Sequence, residues 1–254
     1  MVKKTNSRRD GFVSTLASGV DGKSLHNEIL LDLPRKECAV IFPSLKLIPM
    51  PTHEVLNEMG EPIQHAYFIN SGLASVLNVL SDGKSVEVGL TGKEGFVGLP
   101  VVAGLNTSAS RIVMQIAGSA YKISASDLAK ALRECPQLEK SLHQFTHLMA
   151  MQGSHVAACN RVHNVEERLA RWLLMSQDRI QSDYVPLTQE FLAHMLGTRR
   201  ASVTVAAGIL QKAGLITYTR GAVRIIDRTQ LEDSSCECYS TMVQQSKNWE
   251  NESQ

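Results

Sequence analysis

Residues 187–228, LTQEFLAHMLGTRRASVTVAAGILQKAGLITYTRGAVRIIDR, restrict the fold more than any other stretch of this 254-residue chain. Thr188 offers a side-chain acceptor where a short helix over Gln189–Leu196 needs an N-cap. Ala193 is small where a second helix must cross closely, and Gly197, four residues on, suits a tight turn. Thr198 is then expected to cap a helix from Arg199 to about Ala213. Val203, Ile209 and Leu210 would lie on its buried side, and Gly214 would stop it. LITYT (215–219), a turn at Arg220-Gly221 and AVRIID (222–227) read as a two-stranded wing. A small residue, a turn glycine and a buried β-branched residue six places later meet the packing requirement of a helix-turn-helix.

In that geometry the second helix points its N-terminal residues into the major groove of double-stranded DNA. Arg can donate twice to guanine, Ser and Thr can contact bases or phosphate, and Ala offers only an apolar contact such as a thymine methyl. The expected DNA-facing set is Thr188, Gln189, Thr198, Arg199, Arg200, Ala201, Ser202, Thr204 and Arg220. The bland alternative for the two adjacent arginines is a solvated surface pair. Charge favours the DNA reading. The whole chain carries a formal net charge of only +1, yet residues 161–228 hold ten Lys and Arg against six Asp and Glu. From Thr229 onward Lys247 stands against five acids. A basic segment inside a near-neutral chain is what a phosphate-contacting module requires.

The rest of the chain divides by texture. Residues 1–24 are polar and without period, and read as a flexible tail. From Leu25 to about Ser119, short apolar runs such as AYFINSG (66–72), ASVLNVL (74–80) and SRIVMQIAG (110–118) alternate with Gly-centred turns, the pattern of an all-β sandwich or roll. A helical stretch then leads to Pro136, giving a β-domain over 25–135. From Leu138 to about His163 no proline intervenes. The heptad-like positions 138, 142, 145, 149, 152, 156, 159 and 163 form a seam for a long helix over 136–163 that pairs with its twin or packs on its own β-domain. Asn164 can cap a further helix over 165–180, with Glu166 and Glu167 in its first turn. That helix opens a DNA-binding segment over 164–232, and 233–254 is an acidic tail. No stretch approaches the length of a membrane helix, no signal peptide is convincing, and the five irregular cysteines fit a reducing cytoplasm better than a disulfide framework.

Taken together, HNEILLDLP (26–34), AYFINSG (66–72), DGKSVEVGLTGKEGFVG (82–98), ERLARWLL (167–174) and LTQEFLAHMLGTRR (187–200) resemble the CRP/FNR superfamily of bacterial regulators over roughly residues 25–232. The resemblance implies an α+β chain: an N-terminal cyclic-nucleotide-binding-like β-roll (a double-stranded jelly roll), a long dimerisation helix and a C-terminal winged helix-turn-helix. It also implies a homodimer on a pseudo-palindromic operator, an effector at the β-roll and RNA polymerase as a partner.

Departures from the family pattern are informative. Many members carry Arg-Glu-Thr-Val in the recognition helix; here the stretch is Arg200-Ala201-Ser202-Val203, so the familiar half-site is not implied. Cyclic-nucleotide members carry Gly-Glu and Arg-Ser in the phosphate cassette, whereas Gly98-Leu99 and Ser108-Ala109 stand here. An anionic phosphate would be poorly compensated without that arginine. No cofactor is therefore expected, cyclic nucleotides least of all, and the unknown small-molecule effector should be uncharged or weakly polar. Family geometry makes Gly98, Leu99, Ser108, Ala109, Gly153 and Ser154 the candidate effector-pocket residues.

Two clusters invite a metal reading. Cys236-Glu237-Cys238 supplies at most two ligands and needs partners; otherwise these are unbonded thiols near the chain end. His143, His147, Met151, His155, Cys159 and His163 recur every four residues, but this spacing drifts by about 40° per step around a helix. They cannot all share one site, and no metal site is expected. No constellation for catalysis is present, so the chain is not expected to be an enzyme. A cupin-like enzyme would need facing histidines, and His53 and His65 are the only ones between 40 and 120. The remaining alternative is a β-roll ligand-binding or interaction protein whose winged helix contacts protein rather than DNA.

Overall fold

The computed structural model describes residues 24–219 and 221–252, the last four as backbone only. The flexible tail expected over 1–24 falls outside the described residues apart from Ser24, and so does Arg220. The chain forms two compact units, and they cut across the textural segments. One takes the chain up to Leu73 with Thr91–Ala109 and Met114–Thr146; the other takes Ala74–Leu90, Ser110–Val113 and His147–Gln254.

The first unit opens with two short helices, α1 (Glu28–Leu31) and α2 (Arg35–Ile41). Asn27 caps α1 by accepting from the Leu30 N–H at 3.1 Å, while its amide donates to the carbonyls of Ile69 at 2.8 Å and Gly95 at 2.9 Å. One buried side chain thus satisfies a helix end, a strand carbonyl and a turn carbonyl. The strands β1 (Lys46–Met50), β2 (Val55–Asn57), β3 (His65–Val79), β4 (Ser85–Thr91), β5 (Phe96–Val97) and β6 (Arg111–Ser124) make one six-stranded sheet. β1 runs antiparallel to β6, with Lys46 opposite Lys122 and Met50 opposite Gly118, and β5 runs antiparallel to β3. Phe68 and Phe96 stack at 4.9 Å within a core that includes Ile69, Met114, Tyr121 and Ile123. A short α3 (Leu99–Val102) follows β5. β6 continues to Ser124, five residues beyond the expected change of texture, and Ser124 then caps α4 (Ala125–Glu134). The alternation in SRIVMQIAG simply persists through AYKIS.

Pro136 starts the long helix α5 (Pro136–Val162). The buried Glu37 carboxylate accepts from the N–H groups of Gln137 at 3.0 Å and Leu138 at 2.9 Å, satisfying first-turn donors that no residue within the helix can reach. The expected seam is apolar for the second of its two reasons. Leu138, Leu142, Phe145, Gln152, Val156 and Cys159 are buried within a single copy of the chain, so these positions pack intramolecularly and are not available to a twin helix.

The second unit holds the tip of the β3–β4 hairpin (Ala74–Leu90), the segment Ser110–Val113 and the chain from His147 onward. Asn164 forms the expected cap of α6 (Val165–Ile180), as a full capping box with Glu167. α7 (Gln189–Met195) and α8 (Arg200–Lys212) are followed by β8 (Ile216–Thr219) and β9 (Ala222–Ile225). The wing has three strands, not two, because β7 (Tyr184–Val185) pairs with β9. The acidic segment after 232 is structured. α9 (Arg228–Asp233) and α10 (Cys238–Glu252) are tied to α6 through Arg228, which donates to Asp178 and Gln177 at 2.7 Å, and Tyr239, which donates to Asp178 at 2.9 Å. No helix among the described residues is long and apolar enough to cross a membrane.

Candidate nucleic-acid interface and a buried thiol cluster

The helix-turn-helix is built from local hydrogen bonds. Thr188 caps α7 by accepting from the Phe191 N–H at 3.2 Å. Gly197 adopts φ 55°, the left-handed region, and its N–H donates to the His194 carbonyl at 3.1 Å. The Thr198 N–H reaches back to Ala193 at 2.9 Å, closing the turn. Thr198 is half-buried in that turn and does not cap α8. Arg199 holds the cap position without a side-chain cap bond, and the helix starts at Arg200.

α8 buries Val203, Ala206, Ala207 and Leu210 and exposes Arg199, Arg200, Ala201, Thr204 and Val205. Neither the Arg199 nor the Arg200 guanidinium is engaged in a hydrogen bond or ion pair among the described residues. Ser202 is half-buried. The Thr204 hydroxyl donates to Gln189 Oε1 at 2.9 Å and lies 3.0 Å from the Arg200 carbonyl, so these two residues brace α7 against α8. The expectation that Ile209 is buried fails: it is 46% exposed, and Val205 is 64% exposed. Ala201, Val205 and Ile209 are spaced by four, so they share the outward stripe while 203, 206, 207 and 210 turn inward. Val205 and Ile209 therefore extend the apolar part of the candidate DNA face beyond the residues selected from sequence.

The β3–β4 hairpin touches this element. A Cβ on Gly197 would come 2.9 Å from Val86 Cγ2, and residues 80 and 82–86 line a cleft of about 1030 Å³ with His194, Gly197, Thr198, Arg199 and Ser202. Next to Val86 in sequence, Glu87 is buried and accepts from Ser75 Oγ and, at 2.7 Å, from Trp172 Nε1 of α6. Burial outweighs these bonds and the nearby arginines, pushing the Glu87 carboxyl up to about 7.

The candidate effector residues divide between the two units. In the first, Gly98 has φ 123° and lies against Ala66 and Phe96, with a Cβ position 2.7 Å from Ala66 Cβ. Leu99 is half-buried, Ser108 is buried and Ala109 is exposed. In the second, Gly153 is half-buried, with its Cβ position 3.7 Å from the Val88 carbonyl, and exposed Ser154 bonds back to Ala150 at 3.1 Å.

Cys236 and Cys238 are unbonded thiols near the chain end, and the fold supplies the neighbours that the sequence did not show for them. Both cysteines are buried with Cys159, and Met242 packs against the three. Cys159 Sγ lies 3.5 Å from Cys236 Sγ, and Cys238 Sγ lies 3.7 Å from His163 Nδ1. The Cys236 S–H bond holds the Cys159 thiol below the usual range, and Cys159 in turn raises His163. His143, His147 and His155 stay out of this cluster.

The fold and the exposed helix define a class: a β-roll joined to a winged helix-turn-helix of the kind that binds DNA. Two family models match in that order, a cyclic nucleotide-binding domain over residues 47–135 and a Crp-like helix-turn-helix domain over 167–234. The chain belongs to the CRP/FNR family of transcription regulators. Among solved structures it is similar to FixK2 of Bradyrhizobium japonicum, with TM-score 0.65 and 18% identity over 76% of this chain and 98% of that one. It is also similar to a CRP/FNR-family transcriptional regulator of Thermus thermophilus (TM-score 0.63, 19% identity, 75% and 98% covered). A third is the c-di-GMP-responsive global regulator CLP of Xanthomonas campestris (0.63, 16%, 76% and 99%). At these identities the likeness is one of fold. No curated protein matches the sequence.

Proposed function

We propose that the chain is a homodimeric regulator that reads a pseudo-palindromic operator through the N-terminal half of α8 and responds to a signal received by the β-roll. The observation that carries this reading is the exposed, unengaged pair Arg199 and Arg200 on a helix whose opposite face is fully packed. A solvated surface pair has no need of a neighbouring apolar stripe, whereas base reading uses both donors and apolar contacts.

Dimerisation is supported by a second stripe on α5. Leu148, Met151, His155, Ala158 and Val162 follow a three-four spacing and are half-buried to exposed in the single chain, Val162 at 70%. A stripe of this kind is the heptad seam of a helix pair. Twofold pairing would present two copies of α8 about one DNA turn apart, which is the reason for a two-half-site operator. Signal reception at the β-roll is supported by the hairpin, since Glu87 accepts a hydrogen bond from Trp172 and Val86 occupies the space a side chain at Gly197 would need. The effector should be uncharged or weakly polar, because Leu99 and Ser108 supply neither the acid nor the base of a cyclic-nucleotide cassette. RNA polymerase is the partner that family membership suggests.

Selection of bound fragments from a random DNA pool, followed by titration at several salt concentrations, tests the proposal. Enrichment of a two-fold repeated site with affinity falling steeply in salt is expected. A protein that enriches no sequence and shows no salt-dependent DNA affinity would instead use its winged helix on protein.

A further inference from the structure

We propose that Cys159, His163, Cys236 and Cys238 form a closed, four-coordinate site for one thiophilic divalent ion of the zinc class, which fastens the C-terminal helix to the long helix.

The four ligand atoms all lie within 4.8 Å of one another. With Zn–S near 2.3 Å and Zn–N near 2.0–2.1 Å, a tetrahedron separates two sulfurs by about 3.8 Å and a sulfur from a nitrogen by about 3.6 Å. The Cys159–Cys236 separation is 3.5 Å and the Cys238–His163 separation is 3.7 Å. Only small adjustments of the side chains are needed to centre an ion.

The way each ligand is held supports the same reading. Cys159 and His163 are four apart at the end of α5, on one face of the helix, and the His163 N–H donates to the Cys159 carbonyl at 3.1 Å. Cys236 and Cys238 flank the start of α10, where the Tyr239 N–H fixes the bend by donating to Cys236 at 3.0 Å. His163 turns Nδ1 toward the sulfurs while Nε2 faces Glu237 Oε2 at 2.9 Å. A carboxylate behind a ligating imidazole is the usual device that sets its tautomer and its aim. Glu237 thus belongs to the site as the orienting residue.

Donor chemistry narrows the ion. Three sulfurs and one imidazole exclude the hard, oxygen-seeking cations. An iron–sulfur cluster spreads its ligands over several irons, whereas four atoms this close converge on one centre. Three thiolates around a divalent ion leave one net negative charge. The buried Arg168 and Arg171 of α6 act electrostatically on these sulfurs and offset it. Four protein ligands leave no open position, so the site is structural. It closes a connection between residues 77 apart in the chain, and it gives the acidic C-terminal segment a reason to fold.

The test uses the full chain purified from zinc-supplemented cells without chelator. Elemental analysis should find about one zinc per chain, and cobalt exchanged into the site should show thiolate-to-cobalt charge transfer with tetrahedral visible bands. C159S, C236S and C238S should each lose most of the metal, whereas C38S and C135S should keep it. Should a ligand variant fail to fold, thiol titration of the unaltered protein decides the question. Zinc should leave in step with modification of about three of the five cysteines. Three results would overturn the proposal: metal below about a tenth of an equivalent per chain with all thiols reduced; a Cys159–Cys236 disulfide in metal-free protein; or iron with acid-labile sulfide.

Discussion

The buried carboxylate of Glu87 in β4 accepts a 2.7 Å hydrogen bond from the indole N–H of Trp172 in α6, so a β-roll strand is tied to the first helix of the DNA-binding segment by a buried polar contact. Both residues are nearly or wholly inaccessible. Burial raises the Glu87 carboxyl from 4.5 to about 7, against the lowering effects of Ser75, Trp172, Arg171 and Arg179. The folded chain therefore holds a proton that the unfolded chain releases between those two values. The stabilisation from this group is complete below about pH 4.5, declines as pH rises and is lost above about 7. Its full amplitude is up to about 3 kcal/mol. Glu87→Gln, neutral and of the same shape, should remove this slope, leaving urea stability at pH 8 closer to that at pH 5. An unaltered slope in the variant would assign the pH dependence to other groups.

Gly197 serves both the helix-turn-helix and the hairpin. Its φ of 55° disfavours any side chain, and an added Cβ would press on Val86 at 2.9 Å. Gly197→Ala should cost about 1–2 kcal/mol of stability for the left-handed backbone alone, and more with the contact. Adding Val86→Ala should recover the contact part and leave the backbone part. Denaturant unfolding of the three variants measures both, and a double variant no better than Gly197→Ala would exclude crowding by Val86.

These relations differ in how far they were legible in the sequence. Thr188, Asn164 and Gly197 act on partners three or four residues away, so local spacing identifies them. Local spacing favours Thr198 as the cap of α8 because Thr is a better cap than Arg, yet the turn draws its N–H back to Ala193 and leaves the cap position to Arg199. The two-residue strand β7 has no alternation to detect. A heptad seam gives the face of a helix that is buried but not the partner that buries it. That is why positions 138–159 leave a twin helix and the chain's own packing both open in the sequence, and the structure buries them within the chain. Cys159 and Cys236 are 77 residues apart, and only the return of α10 past α6 brings them together.

Assembly can be separated from folding by choosing the outer stripe of α5. Met151→Glu with Ala158→Glu places like charges on the proposed seam, away from the buried positions 152, 156 and 159. Sedimentation should shift from a dimer to the 27.9 kDa chain with circular dichroism unchanged. A variant that stays dimeric would move the interface elsewhere.

Cyclic AMP should not bind usefully. Ser108 is buried and its N–H donates to the Glu61 carbonyl at 3.2 Å, and Leu99 presents no carboxylate, so a buried phosphate would meet no guanidinium from the cassette. Calorimetric titration should give no heat beyond dilution, whereas micromolar binding would show that another cation serves the phosphate.

Base reading is the most direct consequence of the exposed face of α8. Arg200 is the first residue of the helix proper, exposed and unengaged, with the length to reach guanine O6 and N7 together. Arg200→Ala should therefore weaken specific binding by about 1–3 kcal/mol and relax preference at one base position in each half-site. A phosphate contact would instead weaken all sequences alike and reduce the salt slope by about 1. Ala201 follows on the same exposed face, where a glutamate could accept from a cytosine amine. Ala201→Glu should change the preferred half-site without loss of stability, since Ala201 is exposed and an acid in the first turn suits the helix dipole. Parallel selections with the two variants and the parent give the answer. If Arg200→Ala lowers every affinity equally and Ala201→Glu selects the parental site, the recognition residues lie further along the helix, at Val205 and Ile209.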